Sequence, residues 1–146
     1  MKKELVKQVN HYVANLGVSY IKMHNLHWNV VGLQFKSTHE YLEEVYDEYA
    51  DYLDEVAELL RMEGELPLAS LKDYLAVASI KELETKEVSI ECALSTLLSD
   101  MKALREEALK LREAADKEGN FSLVAMMEDH IANFNKRIWF VEVMVK

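Results

Sequence analysis

Three kinds of feature are scarce in this chain, and each scarcity excludes a class of protein. The single cysteine, Cys92, cannot form an intrachain disulfide, which favours a reducing compartment. Proline occurs once and glycine four times among 146 residues, so long helices are favoured over a sheet-rich fold. No apolar run approaches the roughly 20 residues that cross a bilayer, and the amphipathic N-terminus has no apolar signal segment. We therefore expect a cytoplasmic protein that does not contact membranes.

Basic residues are also in the minority, since 17 Lys and Arg face 26 Asp and Glu and give a net charge of −9. Proteins that bind DNA generally carry a basic stripe that displaces counterions from the phosphates. Lys2, Lys3 and Lys7 are a small substitute for such an arm. The charge predicts cations as partners and argues against direct DNA binding.

Four segments place apolar residues at spacings of three and four, the period of an amphipathic helix. We expect the first helix to end at Gly32 and the second to begin near residue 38, where Ser37 and Glu40 form a capping-box pattern. Gly64 with Pro67 should end the second helix, and Gly119 with Asn120 the third. We expect a single domain over residues 1–146, because no repeat, low-complexity tract or boundary interrupts the pattern.

The second and third long helices are joined by a connection over residues 65–86, which is too long for a tight hairpin. Within it, the stretch "SLKDYLAV" predicts two turns of helix that start at Ser70. Four helices with one long middle crossover describe an all-α, ferritin-like four-helix bundle with a short extra helix between the second and third helices.

The second helix has an acidic side without a basic residue, because Glu40 through Leu60 contains no Lys or Arg. Exposed helices usually intersperse lysines and gain ion pairs at a spacing of four. Bound cations would relieve the self-repulsion of such a side. The plain alternative is a solvated face that keeps the protein soluble.

Two pairs of metal-binding residue types follow each other on this helix. His39 and Glu43 are four residues apart, as are Asp54 and Glu58, while His27 lies on the apolar stripe of the first helix. Imidazole and carboxylate without thiolate suit iron, manganese or zinc. Taken singly, each has a plain alternative: a hydrogen-bonded core histidine for His27, and a solvated pair for Asp54 with Glu58.

The distance between the two pairs predicts a shared site. Eleven residues separate Glu43 from Asp54, which is roughly 16 Å along a helix, whereas metals in a two-metal site lie about 3.5–4 Å apart. One helix cannot close both pairs around one centre, but two antiparallel copies in a two-fold dimer can do so twice. No histidine has a glutamate three residues before it, so the in-bundle di-iron pattern is absent.

With "HNLHWNVVG", "DEVAELL" and "KRIWFV", and with His39 twelve residues after His27, the chain resembles the Dps family of mini-ferritins over essentially its whole length. The resemblance implies a hollow homododecamer built from two-fold dimers, with ferroxidase centres at the dimer interfaces. It implies oxidation of Fe(II) to Fe(III), preferably by hydrogen peroxide and otherwise by dioxygen. It also implies one or two irons per centre and storage of ferric mineral, which protects against oxidative damage.

The resemblance also implies roles for particular residues. The inter-subunit ferroxidase ligands of the family fall on His27, His39, Glu43, Asp54 and Glu58. Trp28, next to the site, could take up a stray oxidising equivalent, although taken alone it is expected to be a core residue. The other acids of the second helix are assigned by hypothesis to an inner wall where mineral nucleates: Glu40, Glu44, Asp47, Asp51 and Glu55.

The chain departs from the family pattern in three places. Glu43 stands where aspartate is common. The arginine that usually follows the ligand glutamate is absent, and Arg61, three residues after Glu58, could take its place. Asn120 and Ala125 stand where relatives have acids that line the threefold channel for iron, with Glu118, Glu128 and Asp129 nearby as substitutes. Two other functions stay open: a DNA-protecting structural assembly with little catalytic role, and an assembly in which the five residues form an inert polar interface.

Overall fold

The computed structural model describes residues 1–146. Each of the four long helices is continuous from its first to its last residue. The elements are α1 Lys3–Asn29, β1 Val30–Val31, α2 Phe35–Met62, α3 Leu71–Val77, β2 Val88–Ser89, α4 Ile90–Lys117 and α5 Phe121–Met144. The predicted all-α bundle with a short extra helix in the crossover is confirmed. No helix of the chain combines the length and the apolarity needed to span a bilayer.

Two helix pairs form the bundle, since α1 packs along α2 and α4 packs along α5. Their apolar stripes meet in one core that includes Tyr12, Leu16, Tyr49, Met101 and Phe134, all fully buried. The crossover returns over α1, where the Tyr74 ring of α3 covers Gly17.

The first helix ends at Asn29, so the prediction that Gly32 terminates it is wrong. The chain becomes extended at Val30 and Val31, which pair in parallel with Val88 and Ser89 at the end of the crossover. β-branched residues favour this conformation, but the partner strand lies 58 residues away and no local period reveals it. Gly32 follows the strand with φ +143°, and a Cβ there would lie 2.9 Å from Ile90.

The second helix begins at Phe35, three residues before the predicted start. Ser37 therefore lies inside the first turn, where its hydroxyl donates to the Gln34 carbonyl at 3.2 Å. Glu40 pairs with Lys36 at 3.7 Å instead of reaching back to a cap. The predicted capping box does not form, because the helix already begins two residues before Ser37. The Phe35 ring of this first turn stacks on His39.

The other predicted helix ends are confirmed by their hydrogen bonds. Gly64 takes φ +81°, and the Glu65 amide donates to the Leu60 carbonyl at 2.9 Å, which closes the C-terminus of α2. The Ser70 hydroxyl accepts from the Asp73 amide and starts α3. At the α4–α5 turn Gly119 takes φ +69°, and the Asn120 side chain accepts from the Leu123 amide.

One ion pair crosses the interior of the bundle from α1 to α4. The Lys22 ammonium lies 2.8 Å from Asp100 Oδ2, and both side chains are almost fully buried. Burial raises the pKa of the Asp100 carboxyl above its ordinary value, although Lys22 pulls that pKa down. The pair is therefore held together at the cost of removing two charges from water.

Candidate metal centre

Two histidines meet face to face where the last turn of α1 approaches the start of α2. The rings of His27 and His39 stack with centroids 3.6 Å apart and planes 12° from parallel. His27 Nδ1 donates to the His39 carbonyl at 2.7 Å, and His39 Nδ1 donates to the His27 carbonyl at 2.6 Å. The two residues therefore orient each other through their own backbones.

These two hydrogen bonds fix the tautomer of both rings. A carbonyl oxygen only accepts, so each Nδ1 must carry the proton. In the neutral imidazole the lone pair then belongs to Nε2, which is the form that binds a metal while the other ring nitrogen is held by a carbonyl. This arrangement differs from that of a core histidine, which would use both nitrogens within the fold.

Glu43 adds a carboxylate to the same corner of the molecule. Its Oε1 lies 3.8 Å from His27 Nε2, and about half of its side chain is exposed. The Tyr46 hydroxyl donates to the same oxygen at 3.5 Å. His27 Nε2 and the Glu43 carboxylate thus lie near each other, and His39 stacks on the His27 ring. Imidazole and carboxylate are ligand types that suit iron, zinc or manganese.

Asp54 and Glu58 are not part of this corner. Both are exposed on α2, more than ten residues beyond Glu43, and neither forms an ion pair within the chain. No group of three or more His, Cys, Asp and Glu side chains in one protomer is arranged to hold a metal ion. The fold places His27 beside both His39 and Glu43, and it leaves Asp54 and Glu58 roughly 16 Å and 22 Å from Glu43 along the helix.

Residues of α5 balance part of the negative charge on the acidic side of α2. Arg137 of α5 lies 3.3 Å from Glu44 and 3.2 Å from Glu48, and buried His130 contacts Glu55. Burial alone would lower the pKa of Arg137, but its hydrogen bonds to Glu48 raise that pKa above the ordinary value.

Glu44, Glu48 and Glu55 therefore have partners on α5. The expectation that bound cations balance the whole acidic side is wrong for these three acids. Asp47 and Asp51 remain exposed and form no ion pair within the chain.

Aromatic side chains surround the candidate centre, and His24 and Tyr46 among them were not predicted from the sequence. Trp28 is 66% exposed, so it is not a core residue, and its ring lies 5.3 Å from His24. His24 stacks on Tyr46 at 3.7 Å, and Tyr46 meets His27 edge-on at 5.2 Å. The spacing of three between His24 and His27 is the only sequence signal that could have pointed to this cluster.

At the α4–α5 turn, the residues named for the iron channel make local contacts. Asn120 donates to Glu63 Oε1 at 2.9 Å in addition to capping α5, and Glu128 pairs with Arg112 at 3.2 Å. Glu118 accepts from the Lys2 amide at 3.3 Å. Asn120 is thus explained as a helix cap, a role that aspartate could equally fill.

Many large apolar side chains are exposed in the single protomer. They lie beside α3, at the α2 and α5 ends, and on the last turns of α5, and include Ile21, Leu71, Leu75, Met62, Phe121, Trp139 and Val143. Soluble monomers rarely leave this much large apolar side chain in contact with water. The surface favours an assembly of several copies.

Comparison with known proteins agrees with the fold. The ferritin-like domain family matches residues 6–146. A "DNA protection during starvation protein" of Helicobacter pylori (strain J99) is 33% identical over 134 residues, which cover 92% of this chain and 93% of the relative.

Two solved structures are similar over nearly the whole chain. A Dps protein from Bacillus brevis has a TM-score of 0.93 with 33% identity, and the match covers all of both chains. A Dps protein from Vibrio cholerae O1 has a TM-score of 0.94 with 28% identity, covering 99% of this chain and 90% of the other. That protein is described as a member of a broad superfamily of ferritin-like diiron-carboxylate proteins. The chain belongs to the ferritin-like family, within its Dps branch.

Proposed function

We propose that the protein is an iron-storing mini-ferritin that oxidises Fe(II) at centres shared between two protomers. His27, His39 and Glu43 of one protomer would face Asp54 and Glu58 of its partner, twice in each two-fold dimer. The observation that carries the proposal is the reciprocal hydrogen bonding of the two histidines, which leaves both Nε2 atoms available, that of His27 3.8 Å from Glu43. The description of the Vibrio cholerae relative as a diiron-carboxylate protein supports iron as the metal.

The shared geometry follows from the length of α2. One protomer presents its nitrogen ligands near residue 39 and its remaining carboxylates near residue 58, too far apart for one centre. A second α2 that runs antiparallel brings the two halves together without any change in the fold of either chain. The exposed apolar side chains provide surface for such contacts.

The residues present suit the oxidation of Fe(II) by hydrogen peroxide. Two ferrous ions at one centre supply both electrons that peroxide needs to become water, whereas a single ferrous ion supplies one and releases hydroxyl radical. His27 and His39 would bind as neutral ligands, while the carboxylates balance the rising charge of the metal. Glu43, longer than the aspartate common in the family, still reaches the position beside His27 Nε2.

We propose storage of the ferric product inside a hollow homododecamer. Asp47 and Asp51 are the nucleation residues that the contacts favour, since both are exposed and form no ion pair. Glu40, Glu44 and Glu55 keep exposed carboxylate oxygens but share them with Lys36, Arg137 and His130. They would bind ferric ions in competition with these partners.

The test is the rate of Fe(II) oxidation by peroxide in the His39→Ala, Glu58→Ala double variant. We expect the initial rate to fall at least about 100-fold, because each centre loses one ligand from each protomer. The matched control is Glu113→Ala, which removes an exposed glutamate from α4 and should leave the rate unchanged. Equal rates in the wild type and the double variant would end the proposal.

Direct DNA binding is not part of this proposal, although DNA protection is in the name of the Helicobacter pylori relative. The net charge of −9 is multiplied by every copy in an assembly and repels phosphate. Tight binding in a gel-shift experiment without free divalent metal would restore a DNA-protecting structural role.

A further inference from the structure

A second polar cluster lies inside the bundle, outside the candidate metal centre. His130 of α5 is fully buried, and its Nδ1 lies 2.8 Å from the Tyr12 hydroxyl of α1. Its Nε2 contacts the Glu55 carboxylate of α2. Tyr12 is also fully buried, so the cluster connects an inaccessible phenol to a carboxylate that is partly exposed.

The partners determine where the protons lie. A carboxylate only accepts, so His130 Nε2 carries a proton and donates it to Glu55. In the neutral ring Nδ1 is then an acceptor, and the Tyr12 hydroxyl donates to it. Burial raises the pKa of Tyr12 well above its ordinary value and lowers that of His130, so both groups are neutral near pH 7. The cluster is therefore a phenol aligned with a free base.

This alignment matters for the loss of an electron. An oxidised phenol is a strong acid, and its oxidation is much easier when a base can take the proton at the same moment. Tyr49 provides the contrast, because it is equally buried and its hydroxyl has no hydrogen-bond partner. Of these two tyrosines, only Tyr12 can become a neutral radical by passing its proton to a base, and the Glu55 carboxylate balances the charge that the base then carries.

Two further tyrosines of α2 lie along the helix between His130 and His27. The Tyr52 ring stacks on His130 with centroids 3.7 Å apart and planes at 15°. Tyr46, six residues earlier on α2 and thus about 9 Å along its axis, meets His27 edge-on. An electron that leaves the buried cluster toward the site where Fe(II) and peroxide would meet would have to cross the gap between these two rings.

We propose that Tyr12 is a redox-active tyrosine whose proton acceptor is His130. A hydroxyl radical, formed when one Fe(II) reduces peroxide by one electron, takes one electron from Tyr12 and becomes hydroxide. The phenolic O–H bond breaks and the proton moves to His130 Nδ1, which gives a neutral tyrosyl radical beside an imidazolium that Glu55 stabilises. Fe(II) then returns an electron and becomes Fe(III), and the proton goes back to Tyr12. Only the source of the oxidant rests on the proposed function.

The test is electron paramagnetic resonance of freeze-quenched, assembled protein with two oxidants. One arm uses Fe(II) with hydrogen peroxide, and the other uses photogenerated tris-bipyridine ruthenium(III) without iron. We expect a persistent neutral tyrosyl radical in both arms. Tyr12→Phe, and His130→Gln, which cannot take up a proton, should each lower its yield at least tenfold. Tyr49→Phe is the matched control and should leave the yield within twofold.

A radical that persists in both Tyr12→Phe and His130→Gln, or that forms in neither arm of the wild type, would overturn the proposal. A Tyr12-dependent radical in the iron-free arm alone upholds the tyrosine and counts against the metal centre as its oxidant source. If neither variant assembles, electron–nuclear double resonance of the wild-type radical in D2O decides. An exchangeable deuteron that is hydrogen-bonded to the radical oxygen supports His130 as the acceptor, and its absence contradicts it.

Discussion

Single side chains decide how this bundle tolerates charge in its interior, and the Lys22–Asp100 pair is the clearest case. Lys22→Met leaves the Asp100 carboxylate buried without its counterion, which should cost about 3 kcal/mol or more at pH 7. The variant should recover as the pH falls toward about 5. Its folded-state pKa for Asp100 lies above the unfolded value of about 3.9, so the folded state takes up the proton first.

Thermal unfolding followed by circular dichroism at about pH 7 and about pH 5 measures this effect. The control is Lys22→Met combined with Asp100→Leu, which removes both charges and should unfold close to the wild type at both pH values. A variant Lys22→Met that is equally destabilised at both values would show that lost packing, and not the unpaired carboxylate, is responsible.

The sequence singles out His27 and His39 as candidate ligands, but it does not predict what each ring contacts. His27 lies on the apolar stripe of α1, and His39 lies near the start of the acidic helix. Both positions follow from the neighbouring residues in the sequence. The contact of each ring with the other residue's carbonyl depends on how α1 meets α2, which no spacing shows. For the same reason the contacts of Arg137 and His130 could not be predicted, because each residue lies more than 70 residues from its carboxylate partner.

At the scale of elements, the short helix α3 depends on one glycine of α1. A Cβ at Gly17 would lie 2.5 Å from Cδ2 and 2.6 Å from Cε2 of the Tyr74 ring. Gly17→Ala gains about 1 kcal/mol of helix propensity but must displace this ring, an overpacking cost of about 1–3 kcal/mol. We expect a net loss of stability, measured by thermal unfolding.

The effect of Gly17→Ala on stability should change sign once the Tyr74 ring is removed. In a Tyr74→Ala background the clash disappears, so Gly17→Ala should stabilise the protein through helix propensity alone. Stabilisation by Gly17→Ala in the wild-type background would contradict the close packing of α3 on α1.

Helix ends followed the sequence wherever a local hydrogen bond sets them. Gly64, Ser70, Gly119 and Asn120 act within one turn of their own position, and all four were predicted. The junction between α1 and α2 was not, because the β1–β2 pairing that follows α1 joins residues far apart in the sequence. The missed junction is also the place where the candidate metal centre forms.

At the scale of the whole molecule, a protomer is incomplete in two independent respects. Its predicted ligands are divided between two regions of α2 that one chain cannot bring together. Its surface exposes large apolar side chains at several places. An assembly with two-fold contacts would complete the centre and cover apolar surface at the same time.

Complementation between two inactive chains tests the shared centre most directly. One chain carries His27→Ala with His39→Ala, and the other carries Asp54→Ala with Glu58→Ala. Each alone should form assemblies that do not oxidise Fe(II) with peroxide above background. Co-expressed in equal amounts, half of the dimers are mixed and each mixed dimer contains one intact centre, so about a quarter of the wild-type rate should return. Mixed assemblies as inactive as their parents would contradict a centre built from two protomers.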